Sequence, residues 1–131
     1  MKNITKIIIA TLAICTIVSC NKIPQEKLPL SRESITFSKA GGTETVTTGA
    51  APMVDVALFE CDANWNKGAA APSTGMSPLT YSLDWVSVSV NGTTLTVTAK
   101  ENTTGQKRYA SVQVFDVDAM SMPNHFTITQ E

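Results

Sequence analysis

The chain has 131 residues, a formal charge of −1 at pH 7, three cysteines and one histidine; 43% of its residues are apolar and 16% are charged. That length fits one domain. The charge excludes a nucleic-acid binder, which needs Lys and Arg to neutralise phosphates. One histidine excludes a multi-histidine metal centre and leaves little for acid–base catalysis.

The first element in chain order is a leader rather than part of the fold. Lys2 and Lys6 precede an apolar run, Ile7–Val18. The run falls short of the roughly 18–20 residues a membrane span needs but suits a signal-peptide core. It ends in Ile17-Val18-Ser19-Cys20, which resembles the lipobox of bacterial lipoproteins. The resemblance implies a signal peptide over 1–19, cleavage before Cys20, and acylation of Cys20 with palmitate-type chains. Each buried CH₂ contributes about 0.8 kcal/mol, so several chains hold a small domain at a membrane. The alternatives are an uncleaved anchor or an ordinary secretory signal, which Ile17 fits poorly because small residues are preferred at both cleavage positions. The expected address is the bacterial cell envelope, at the outer membrane. Asn21-Lys22-Ile23 carries no acidic run of the kind that directs related lipoproteins to the cell surface, which favours the periplasmic face.

Without the leader, eight basic face eleven acidic side chains, a charge of −3. Cys15 leaves with the leader and Cys20 takes lipid, so Cys61 has no intramolecular partner. Either it is a small buried hydrophobe or it is an exposed thiol available to another chain. Residues 20–31, with Pro24 and Pro29 and no apolar periodicity, read as the lipidated cysteine and a tether.

Residues 32–131 read as an all-β, immunoglobulin-like two-sheet sandwich of about seven strands. Period-two alternation places strands at Ser34–Phe37, Thr43–Thr48 and Val54–Cys61. Asp84–Val90 and Thr93–Ala99 flank Asn91-Gly92, a strong hairpin signal. A turn centred there pairs Val90 with Thr93 and Val88 with Leu95, with the valines on one buried face. Tyr109–Val117 and Phe126–Gln130 complete the set. Between them, residues 62–83 read as a long insert loop, and loops of that length are uncommon unless functional or disordered.

Five segments resemble the BACON family, an immunoglobulin-like module of Bacteroides-type bacteria. They are Ile35–Thr43 with its Gly41-Gly42, Leu83–Val86, Leu95–Val97, Asn102–Arg108 and the closing Phe126–Gln130. The resemblance spans the whole domain and implies a carbohydrate- or mucin-binding role, or a spacer role between an anchor and an enzyme. No catalytic module follows here, which leaves a spacer nothing to separate.

Sugar recognition stacks ring faces on exposed aromatics beside amides and acids. Trp65, flanked by Asp62, Asn64 and Asn66, has that composition, and Tyr81 is a second candidate. The competing reading is that these aromatics pack the loop onto the sandwich. Trp85, inside a strand pattern, reads as a packing residue. His125 reads as a surface or edge-strand histidine, Asp116 and Asp118 as a solvated turn, and Gly41, Gly42 and Gly92 as turn glycines with no following helix to cradle a phosphate. No catalytic residue, metal ligand or cofactor is expected. The leading expectation is a non-catalytic glycan- or mucin-binding lipoprotein, with membrane contact through Cys20. The alternative is an adaptor that binds an envelope protein through its sheet edges.

Overall fold

A computed structural model of the chain describes residues 26–49, 53–118 and 121–131. The leader and Cys20 lie outside the described residues. Nine strands form: β1 (Ser34–Phe37), β2 (Gly42–Thr47), β3 (Val54–Cys61), β4 (Lys67–Ala70), β5 (Leu79–Ser82), β6 (Val86–Asn91), β7 (Thr94–Ala99), β8 (Arg108–Asp116) and β9 (Asn124–Gln130). They make a five-stranded sheet, β1-β9-β8-β3-β4, and a four-stranded sheet, β2-β7-β6-β5. β1 runs parallel to β9, and every other pairing is antiparallel. The chain is therefore an all-β sandwich of two sheets. Among the described residues no helix is long and apolar enough to cross a membrane.

Alternation explains which faces meet. Val86, Val88 and Val90 of β6 and Leu95 and Val97 of β7 are buried, while the interleaved Ser87, Ser89 and Thr96 are half-buried on the opposite face. From the five-stranded sheet come Val56 and Leu58, Ala110, Val112 and Val114, and Phe126 and Ile128. Each fully buried aliphatic or Phe side chain contributes roughly 1.5–3 kcal/mol, so these inward positions dominate stability. The outward positions of β8 and β9 are left for other use.

Three expectations need correction. In the β6–β7 hairpin Asn91 pairs with Thr94 and Val90 with Leu95. The turn is centred on Gly92-Thr93, two registers from the pairing expected of Asn91-Gly92. Gly92 has φ 60° and Thr93 has no positive φ, so glycine leads the turn and only one position needs the left-handed region. The buried face is unchanged, because a shift by two keeps the side-chain alternation.

Residues 62–83, expected as one structureless loop, hold β4 and β5. β4 is the exposed sequence Lys-Gly-Ala-Ala, recruited by the backbone of β3 through the pairs Phe59–Ala70 and Cys61–Lys67. β5 is paired along its whole length with β6.

The third concerns the tether. Leu28 is fully buried in the core. Its N–H donates to the Met122 carbonyl (2.8 Å), and its own carbonyl accepts from Asn124 Nδ2 (2.9 Å). The folded unit begins by Glu26, whose carbonyl accepts from the Met122 N–H.

One end of the sandwich is closed by polar staples. Asn102 Nδ2 donates to the carbonyls of Gln106 (2.7 Å) and Glu131 (2.9 Å), tying a turn to the C-terminus. Gln130, also buried, donates to the carbonyls of Lys100 (2.7 Å) and Ser38 (3.2 Å). Gly41, at φ 77°, lies so close to the chain that a Cβ there would stand 2.2 Å from the Ala99 carbonyl oxygen. Only glycine fits that approach.

Candidate functional site

The candidate site starts from the turn joining β3 to β4. Trp65 N–H donates to the Asp62 carbonyl (3.0 Å), and Asp62 N–H donates to the Asn66 carbonyl (3.2 Å). This is a three-residue hairpin loop whose closing position requires positive φ, a place glycine or asparagine usually takes. Trp65 occupies it at φ 65°, alone among the described non-glycine residues in having a positive φ. The left-handed conformation costs an L-residue about 1–2 kcal/mol. A bulky residue persists there only when its surroundings hold it.

Asp62 supplies much of that hold. Its carboxylate accepts from the N–H groups of Asn64 (2.8 Å) and Asn66 (2.9 Å) and from Asn66 Nδ2 (2.9 Å). The Asn66 bonds are the chief reason its carboxyl is held below the usual range. Tyr109 supplies the rest. Its ring meets the Trp65 indole edge-on, centroids 5.3 Å apart, and turns the tryptophan back over the outer face of the five-stranded sheet. Trp65 remains 41% exposed.

Below it runs an open groove of about 460 Å³, lined by Trp65, Lys67, Ser111, Gln113, His125 and Thr127. The floor is built by register: Ser111 lies opposite Thr127, and Gln113 opposite His125. Since Ala110, Val112, Val114, Phe126 and Ile128 face the core, their neighbours in sequence must face outward. Among the described residues none of the side chains of Ser111, Gln113, His125 and Thr127 hydrogen-bonds to another protein group. Lys67 stands with its ammonium 5.0 Å from the Phe59 ring centre, a cation–π contact that holds it at the rim. The site is thus an aromatic wall, a polar floor with donors and acceptors to offer, and one fixed cation.

The residues singled out in the sequence divide accordingly. Trp65, Asp62, Asn64 and Asn66 are brought together, but Asp62 and Asn66 hold the loop rather than face a ligand with free groups. Tyr81 belongs elsewhere. It sits half-buried against the core on β5, and its hydroxyl donates to Asp55 Oδ1 at 2.5 Å. Burial, aided by that carboxylate, pushes its hydroxyl up to about 12. The ring is a packing element and not part of the groove. His125 is exposed on β9, an interior strand of its sheet, and faces the groove. Cys61 is buried and free, with its thiol pushed up by burial. Asp116 accepts from Ser121 Oγ and the Asp118 N–H, closing a turn. Among the described residues no cluster of three His, Cys, Asp or Glu side chains is placed to hold a metal ion.

The floor residues were missed in the sequence because each is an ordinary polar residue at an outward strand position. Only the pairing of β8 with β9 collects them under Trp65.

No protein-family model matches the sequence, and no curated protein matches it. A protein from Bacteroides thetaiotaomicron, solved by NMR, is similar in structure with a TM-score of 0.59. The two are 16% identical, and the match covers 86% of this chain and 88% of that one. Likeness at that identity concerns the fold alone.

Proposed function

We propose that this chain is a lipid-anchored envelope protein of the BACON type that binds carbohydrate, as free glycan or mucin, without transforming it. The observation that carries this reading is the juxtaposition of Trp65 with four polar side chains that have no side-chain hydrogen bond among the described residues. A sugar offers an apolar ring face to an indole and hydroxyls to Ser111, Gln113, His125 and Thr127, each of which can donate or accept. The left-handed backbone at Trp65 supports the same reading, since a bulky side chain holds a position that glycine takes without backbone cost. The adaptor alternative gains less. β1, β4 and β5, three of the four edge strands, are four residues long, and short edges are poor templates for strand addition.

A glycan array probed with residues 21–131, and with the same chain carrying Trp65→Gly, tests the binding. Binding by the parent and a loss of tenfold or more in the variant are expected, about 1.4 kcal/mol. Equal signals from both remove Trp65 from the function. For the anchor, Cys20→Ser in the full-length protein is expected to move it from the membrane to the soluble fraction. Retention on the membrane contradicts lipidation at Cys20.

A further inference from the structure

The charges around the groove narrow the ligand. Lys67 and His125 are the titratable side chains that line it, and no carboxylate does. The two nearest acids in the sequence are accounted for. Asp62 receives three N–H donors from its own loop. Glu60 lines a different pocket, at the end of the sandwich, with Asp84, Trp85 and Arg108. Lys67 makes neither of the two ion pairs among the described residues, which are Arg32–Glu44 and Lys107–Glu131. A chain with three more acidic than basic side chains after its leader therefore presents, at the rim of the Trp65 groove, a cation that no ion pair among the described residues neutralises.

Resting on the carbohydrate reading above, we infer that the groove takes an acidic sugar, with Lys67 contacting its carboxylate or sulfate while the ring stacks on Trp65. The floor supports this division of labour. Ser111, Gln113 and Thr127 are neutral and suit hydroxyls, and the charge sits to one side. The ammonium stays over the Phe59 ring, so less side-chain freedom is lost on binding than for a lysine extended into water. A neutral sugar gains at most a hydrogen bond from the ammonium to a hydroxyl. An acidic one gains in addition the attraction of opposite charges.

The test uses residues 21–131, which carry the whole described fold, and matched probe pairs that differ only in charge. The pairs are sialyllactose and lactose, an oligogalacturonate and its methyl ester, and a sulfated disaccharide and its desulfated form. Calorimetric titration is expected to show the acidic member of at least one pair binding roughly tenfold or more tightly, the scale of one hydrogen bond to a charged group. The pair that responds separates carboxylate from sulfate. Lys67→Met, which keeps the apolar stem over Phe59, is expected to erase that preference, weakening the acidic member far more than the neutral one. Thermal unfolding of the variant confirms that the fold survives. Equal binding of acidic and neutral members overturns the inference and leaves the carbohydrate reading standing. So does a Lys67→Met loss shared equally by both members. Failure of every sugar to bind, on the array as well as in these titrations, overturns both.

Discussion

Adjacent residues of β8 hold the protein's two tryptophans. Arg108 lies over the Trp85 ring at 5.7 Å, on the inward side, and Tyr109 meets Trp65 edge-on, on the outward side. Trp85 is 3% exposed and its indole N–H has no hydrogen-bond partner among the described residues. An unmade buried bond costs about 1–3 kcal/mol, so packing must outweigh it. Trp65 is 41% exposed and sits in a backbone conformation that costs it energy. The first tryptophan is given wholly to packing; the second carries a backbone cost and keeps a large part of its surface open. The same contrast extends to the polar residues around them. Asn102 and Gln130, near Trp85, donate to backbone carbonyls, whereas Ser111, Gln113 and Thr127, below Trp65, face an open groove.

Substitutions sharpen that contrast. Trp85→Ala is expected to have the largest effect on folding, a loss of about 3–5 kcal/mol in chemical denaturation, the usual range for a buried tryptophan. A loss below about 1 kcal/mol breaks the contrast at its stable end. Tyr81→Phe is intermediate, removing the hydroxyl bond to Asp55 at about 1 kcal/mol near neutral pH. It also carries a pH signature. The folded hydroxyl titrates near 12 against about 10 when exposed, so the protonated form is favoured in the fold. The stabilisation is complete below pH 10 and is lost as pH rises towards 12. Parent and variant stability should therefore converge across that window, while sugar binding at neutral pH is unaffected in the variant. Loss of binding in Tyr81→Phe would return Tyr81 to the site.

Much of the sandwich is legible in the sequence because period two is legible: Val86, Val88 and Val90, or Ala110, Val112 and Val114, announce both strand and face. β4 is not legible, since Lys-Gly-Ala-Ala has no strand preference of its own and forms only because β3 offers it an edge. Leu28 is hidden for another reason. It stands between a polar stretch and Pro29, without periodicity, and its burial depends on Met122 and Asn124, nearly a hundred residues away. The site follows the same rule. Trp65 and its amide-rich turn are local and visible, whereas the groove floor is a product of the β8–β9 register. Even the family-like segment Asn102–Arg108 reads differently in three dimensions, for its Asn and Arg secure one end of the sandwich.

Trp65→Gly tests the central claim most directly. Glycine relieves about 1–2 kcal/mol of left-handed backbone cost. Against this stand roughly 0.4–1 kcal/mol of added freedom in the unfolded chain, about 0.5–1.5 kcal/mol for the lost aromatic pair and about 1–2 kcal/mol for the ring area the fold covers. The net change should be a loss smaller than the roughly 3–5 kcal/mol of Trp85→Ala, while glycan binding falls tenfold or more. Denaturation and glycan titration on one preparation decide the matter. Lost binding with a stability loss smaller than that of Trp85→Ala is the predicted result; a loss of stability with binding intact would show that Trp65 is a packing residue and contradict the account.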